Sequence, residues 1–113
     1  MTNQIAIAAD APSGPVPTIF EAIVRRLCLT AVYNRTAMTI APHILYTRHD
    51  QLHVDGVVVE KGGQPPREPK VGTFRLTGLN DIALADRPFF PDPLFEIGGE
   101  KYHGVTLLAV EPA

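Results

Sequence analysis

Eleven prolines are scattered through this chain of 113 residues, and each one fixes φ and removes a backbone donor. That distribution excludes an all-helical fold and favours short extended segments joined by turns. Nine glycines, with 45% hydrophobic and 19% charged residues, point the same way: enough apolar surface for a core, and too little charge for a disordered chain. A chain of this length makes one domain and needs neither disulfides nor a structural metal. Cys28 is the only cysteine, so no intrachain disulfide can form, a reducing compartment suits the thiol, and the cytoplasm is the expected location. No basic residue precedes Arg25 and no apolar run approaches the roughly 20 residues of a membrane span, so no secretory signal or membrane contact is expected.

Residues 1–17, with Ala-Pro-Ser-Gly-Pro-Val-Pro at 11–17, read as a flexible lead-in. Thr18 and Glu21 have capping-box spacing, and Ile19, Phe20, Ile23, Val24 and Leu27 then recur at steps of three and four, which predicts an amphipathic helix from Ile19 to Cys28. Extended runs follow at 29–33 and 38–46, joined by a turn at Asn34-Arg35-Thr36, with Pro42 expected at an edge or bend. Arg48-His49-Asp50-Gln51 predicts a hairpin turn into the strongest strand, Leu52 to Glu60. The Gly- and Pro-rich stretch 61–69 is a loop, strands are expected at 70–76 and 82–85, and Thr77 to Asp81 is turn-like. Beyond Asp86, a Pro- and Phe-rich segment leads to a C-terminal hairpin that pairs 94–97 with 101–110. One helix followed by about five short strands predicts a mainly β fold, a small barrel whose opening the helix covers, with residues 18–86 as its body.

The fragments Ala22-Ile23, Leu27, Leu29 and Tyr33, then Ile40-x-Pro42-x-x-Leu45, Leu52-His53-Val54, and Phe74-Arg75-Leu76 with Leu79 follow one another in an order that resembles the WYL domain family. Leu52-His53-Val54 stands where that family has its Trp-Tyr-Leu triplet. The resemblance implies an SH3-like or Sm-like β-barrel and a regulatory role: such domains occur in bacterial transcription factors and in phage-defence and CRISPR-associated proteins, where the barrel senses a nucleotide or nucleic acid. The chain differs at the triplet's two aromatics, now Leu52 and His53, and at two basic positions, which fall on Met38 and Gly78. With no helix-turn-helix expected ahead of Thr18, direct operator recognition is not expected.

Strand alternation places His53 and Asp55 on one face, and Thr73 and Arg75 on one face of the later strand. If Leu52, Val54, Phe74 and Leu76 face the core, these four polar residues converge outward. Arg75 then offers a bidentate fork for phosphate and His53 a ring for a base, with Arg48 or Lys70 assisting. The alternative is an ordinary solvated sheet face carrying a weak ion pair. The stretch 25–49 adds Arg25, Arg26, Arg35 and Arg48 without a carboxylate, within a net charge of −2. No catalytic constellation, cofactor motif or metal-ligand spacing is present, and Cys28 reads as a packing residue. Pro66-x-x-Pro69 is either a polyproline docking segment or a stiff connection. Two functions stay open: a module that senses a nucleotide or single-stranded nucleic acid through its outer sheet face, or an interaction domain that self-associates as a homodimer, or docks a partner regulatory protein, through Phe89, Phe90, Phe95 and the C-terminal hairpin.

Overall fold

The computed structural model describes residues 14–96, 98–103 and 105–111. Helix α1, Pro15–Arg25, carries prolines at its first and third positions. They are tolerated there because the first amides of a helix have no intrahelical acceptor. The capping box expected at Thr18 is not formed. Gly14, with φ 109°, is the N-cap, and the Thr18 hydroxyl, one turn inside the helix, donates to the Gly14 carbonyl at 3.1 Å. Glu21 instead meets Arg25 at 2.6 Å. Residues 14–17 therefore belong to the helix and its cap, which corrects part of the expected lead-in; residues 1–13 lie outside the described residues. The helix ends at Arg26 in a left-handed conformation, φ 55°, and Cys28 falls, buried, in the first strand rather than at the end of a helical stripe.

The strands are β1 Leu27–Tyr33, β2 Thr36–Arg48, β3 Gln51–Lys61, β4 Val71–Arg75, β5 Leu79–Pro88 and β6 Thr106–Ala109. All pairings are antiparallel, in the order β4-β3-β2-β1-β5, with β6 added beside β2. Tight turns join β1 to β2 and β2 to β3, through Asn34-Arg35 (φ 50° and 62°) and His49-Asp50 (φ 51° and 62°), the sign that matches the twist of a hairpin. A 3-10 turn, Leu76–Gly78, carries the chain from β4 directly to β5, that is, from one end of the strand order to the other. In a flat sheet four strand spacings of about 4.8 Å would separate them by about 19 Å, whereas three residues of 3-10 helix rise only about 6 Å. The sheet must therefore coil, and Phe74 of β4 meets Tyr33 of β1 edge to face at 5.1 Å. No ladder joins β4 to β5 among the described residues, so the sheet is not a closed barrel.

The C-terminal hairpin expected from 94–110 is absent from the described residues. The chain passes instead through a 3-10 turn, Glu100–Tyr102, to a single strand, β6, that pairs Ile44 with Ala109 and Leu45 with Leu108. Pro42 explains where it fits. β2 pairs with β1 as far as Ile40 and with β6 from Ile44, so the residue without a donor sits where β2 changes partners. There the register against β3 moves from Pro42↔Gly56 to Ile44↔Asp55, leaving His43 as a bulged, unpaired residue. The extra residue flips the alternation: Met38 and Ile40 before it face the core, and so does Leu45 after it. Strands β2 and β3 approach so closely that a Cβ on Gly56 would stand 2.5 Å from the Ala41 carbonyl oxygen. Ile19, Ala22 and Ile23 of α1 pack on Leu29, Ile40, Leu45, Val54 and Phe74 to form the main core. A second cluster, Ile44, Tyr46 and Tyr102, lies on the outer face.

Candidate functional site

The turn at His49-Asp50 sets the register of the outer face. It pairs Arg48 with Gln51 and Tyr46 with His53; β4 then pairs Arg75 with His53 and Thr73 with Asp55. Directly opposed residues on antiparallel strands point to the same side, as do residues two apart. Tyr46, Arg48, His53, Asp55, Thr73 and Arg75 therefore share one face, as alternation predicted for His53, Asp55, Thr73 and Arg75, and the core set of Leu52, Val54, Phe74 and Leu76 lies on the other.

Arg48 and Arg75 are exposed and His53 is half-buried between them. The His53 ring stacks on Tyr46, centroids 5.7 Å apart and planes inclined by 25°, and its Nδ1 donates to the Gln51 carbonyl at 3.1 Å. No carboxylate comes within ion-pair distance of Arg48 or Arg75 among the described residues. Lys70 is not part of this group. It precedes β4 and lines a separate cleft with Phe74 and Gly72, which point to the core side.

Asp55 is on the predicted face but is not open to solvent: its exposure is 0%. Its Oδ1 accepts from the Tyr46 hydroxyl at 2.7 Å and its Oδ2 from the Tyr102 hydroxyl at 2.5 Å, while Lys101 Nζ stands 2.9 Å from Oδ2. Lys101 also donates to Thr73 Oγ1 at 3.2 Å and lies over the rings of Tyr46 and Tyr102. Burial works to raise the Asp55 carboxyl, but hydrogen bonds from Tyr102, Lys101, Tyr46 and Thr73 outweigh it and hold the group below the ordinary carboxylate value. Burial, then the bond to Asp55 and its charge, pushes both phenols above their ordinary value. At neutral pH every proton in the cluster is thus fixed, the carboxylate ionised and both phenols protonated. That arrangement suits a lock better than an acid–base pair, whose pKa would lie near the working pH. Beside it an open depression of about 370 Å³ reaches Thr73 and Lys101, with Glu96 and Glu100 on its wall. The cationic end of the face is therefore the one at Arg48, His53 and Arg75.

A second anchor holds the same segment. The bulged His43 is buried between the rings of Phe89 and Phe95, at 5.0 and 5.2 Å. Its Nδ1 lies 2.7 Å from the Ala41 carbonyl, which only accepts, so Nδ1 carries the proton and Nε2 accepts the Asp92 amide at 2.9 Å. Burial lowers its pKa, against opposing pulls from the Ala41 bond and the Asp92 charge. The His43 carbonyl accepts from the Val110 amide at 2.7 Å. Phe89 and Phe95 are thus spent inside the molecule, whereas Phe90 is 84% exposed.

Among the described residues no three His, Cys, Asp or Glu side chains gather where they could hold a metal ion, and none of the helices is long and apolar enough to cross a membrane. No protein-family model matches the chain, and neither curated proteins nor solved structures yielded a match. The resemblance to WYL domains accordingly rests on the sequence fragments alone. Sequence reasoning missed Tyr46, Lys101 and Tyr102. Tyr46 carried a usable signal, since a tight turn at His49-Asp50 places it opposite His53; Lys101 and Tyr102 arrive from a distant segment with no pattern of its own.

Proposed function

We propose that the protein is a regulatory module that binds a nucleotide or single-stranded nucleic acid on the outer face of β2, β3 and β4. The observation that carries this reading is the direct pairing of His53 with Arg75, with His53 already stacked on Tyr46. A guanidinium free of carboxylates presents parallel donors to a phosphate, and a flat imidazole set beside it gives a base a surface to stack on. Arg48 extends the cationic edge along β2. Lys101 and Thr73 border it, while Asp55 positions Lys101 instead of meeting ligand. The order β4-β3-β2-β1-β5, with a short 3-10 link between the outer strands, supports the SH3-like or Sm-like barrel reading that the WYL resemblance carries, and a lone, buried thiol fits a cytoplasmic protein.

Fluorescence polarisation with labelled oligothymidylate, oligouridylate and ATP at low salt tests the reading. Binding should weaken steeply as salt rises, and Arg75→Ala should weaken all sequences alike. Absence of any shift with all three probes would end it. A second reading, self-association through the C-terminal segment, keeps Phe90 in its favour, because a phenylalanine that is 84% exposed invites a partner. Light scattering on the wild type and on Phe90→Ser separates the two: a monomer in both cases removes the dimer.

A further inference from the structure

On the core side of β4, away from His53 and Arg75, the coiled sheet leaves a cleft of about 310 Å³. Its floor is apolar: the Tyr33 and Phe74 rings in edge-to-face contact, with Met38 and Val58 beside them. Lys61 and Lys70, both exposed, and a single carboxylate, Glu68, stand among its lining groups, as do Asn34 and Thr36. No carboxylate lies within ion-pair distance of Lys61 or Lys70 among the described residues, so the cleft's lining carries two ammonium groups against one carboxylate, neither of them tied up in an ion pair.

The walls are fixed before any ligand arrives. Lys61 and Gln64 exchange backbone hydrogen bonds at 2.7 and 3.2 Å, and the Gly62 amide donates to the Ala37 carbonyl at 2.8 Å, which ties the β3–β4 connection down onto β2. Gly62 and Gly63 supply the positive φ, 60° and 84°, that the tie requires. The prolines of that connection then stiffen the chain leading to Lys70, and Pro66 itself lines the cleft. A preformed concave site with an apolar floor and a few polar groups is the usual form of a small-molecule site, and a volume near the lower end of about 300–1,000 Å³ limits the ligand to a compact one.

We propose that this cleft binds a small amphiphilic monoanion, an aromatic or branched apolar body bearing one carboxylate, with the body over Tyr33 and Phe74 and the carboxylate between Lys61 and Lys70. The site is independent of the outer face and of whatever that face binds.

The test titrates the ¹⁵N-labelled full chain with 2-naphthoate and, separately, with the neutral 2-naphthalenemethanol. Naphthoate should move the amides of Asn34, Lys70 and Gly72 saturably, and the alcohol should bind about tenfold more weakly, as loss of two exposed charge contacts implies. The double reversal K61E/K70E should abolish naphthoate binding; K61A/K70A serves the same purpose if the reversal does not fold. Arg75→Ala should leave it unchanged, so the cleft and the outer face fail separately. The proposal is overturned if millimolar naphthoate moves none of these amides, if it moves those of His53 and Arg75 instead, if the alcohol binds equally well, or if the lysine variants bind as wild type.

Discussion

Tyr46 and Tyr102 donate to opposite oxygens of one carboxylate, 2.7 and 2.5 Å from Asp55, and their rings meet nearly at right angles at 5.1 Å. A strand in the middle of the sheet is thereby tied to a turn near the far end of the described chain. Asp55 carries the only buried charge among the described residues, and Lys101, 2.9 Å from its Oδ2, compensates it.

Asp55→Asn keeps the shape but sets an amide N–H₂ against a donor and releases Lys101. It should destabilise the fold by about 2–4 kcal/mol, through weakened charge-assisted hydrogen bonds and one donor left facing another, while Lys101, nearly half exposed, is rehydrated. Tyr102→Phe removes one donor and should cost about 1–3 kcal/mol. Urea unfolding checks both, and Tyr102→Phe costing as much as Asp55→Asn would contradict the arrangement.

His43 binds a proton less readily in the folded protein than in the unfolded chain, whose ordinary value is 6.5. The stability it contributes is therefore complete above about that pH and declines as pH falls below it, because protonated Nε2 cannot accept the Asp92 amide. The melting temperature should drop between about pH 7 and about pH 5, the range in which an imidazole gains its proton. His43→Gln should flatten that slope, and NMR should show the Nδ1–H tautomer with a pKa below the ordinary one. A slope unchanged in His43→Gln would move the effect elsewhere.

Gly56→Ala forces a methyl against the Ala41 carbonyl and the Ile40 side chain, at 2.5 and 2.8 Å. Overpacking of this kind should cost about 1–3 kcal/mol, read as a lower urea midpoint with an unchanged slope.

Arg35 holds a φ of 62° in the β1–β2 turn, a conformation that glycine adopts without strain. Arg35→Gly should stabilise the protein by about 0.5–1 kcal/mol, since Asn-Gly suits this type of turn. A lower melting temperature in this variant would refute the turn assignment.

What the sequence revealed depended on whether local patterns governed the outcome. Ile19 and Ile23 keep helical spacing, and His49-Asp50 marks a turn from which the alignment of Tyr46 with His53 follows by counting, whereas the place of Arg75 opposite His53 depends on the longer connection at 62–70. The helix begins earlier than the Pro-rich composition of 11–17 suggests, because Pro15 and Pro17 occupy the first turn, where a missing donor costs nothing. The bulge at His43 had only Pro42 as a herald, and one inserted residue reverses the facing of all that follows. The C-terminal course was illegible for a different reason: residues 89–111 have no alternation of their own and take their path from His43 and Asp55, which lie far back in the chain.

The cover over Asp55 also has a consequence in time. Lys101 and Tyr102 leave the ribosome after β1 through β5, so the five-stranded sheet can collapse while the carboxylate is still hydrated, and its dehydration waits for the groups that neutralise it. The nascent protein is spared a stage in which a bare anion must be enclosed, and a segment that emerges after the five strands is the one that makes the enclosure tolerable.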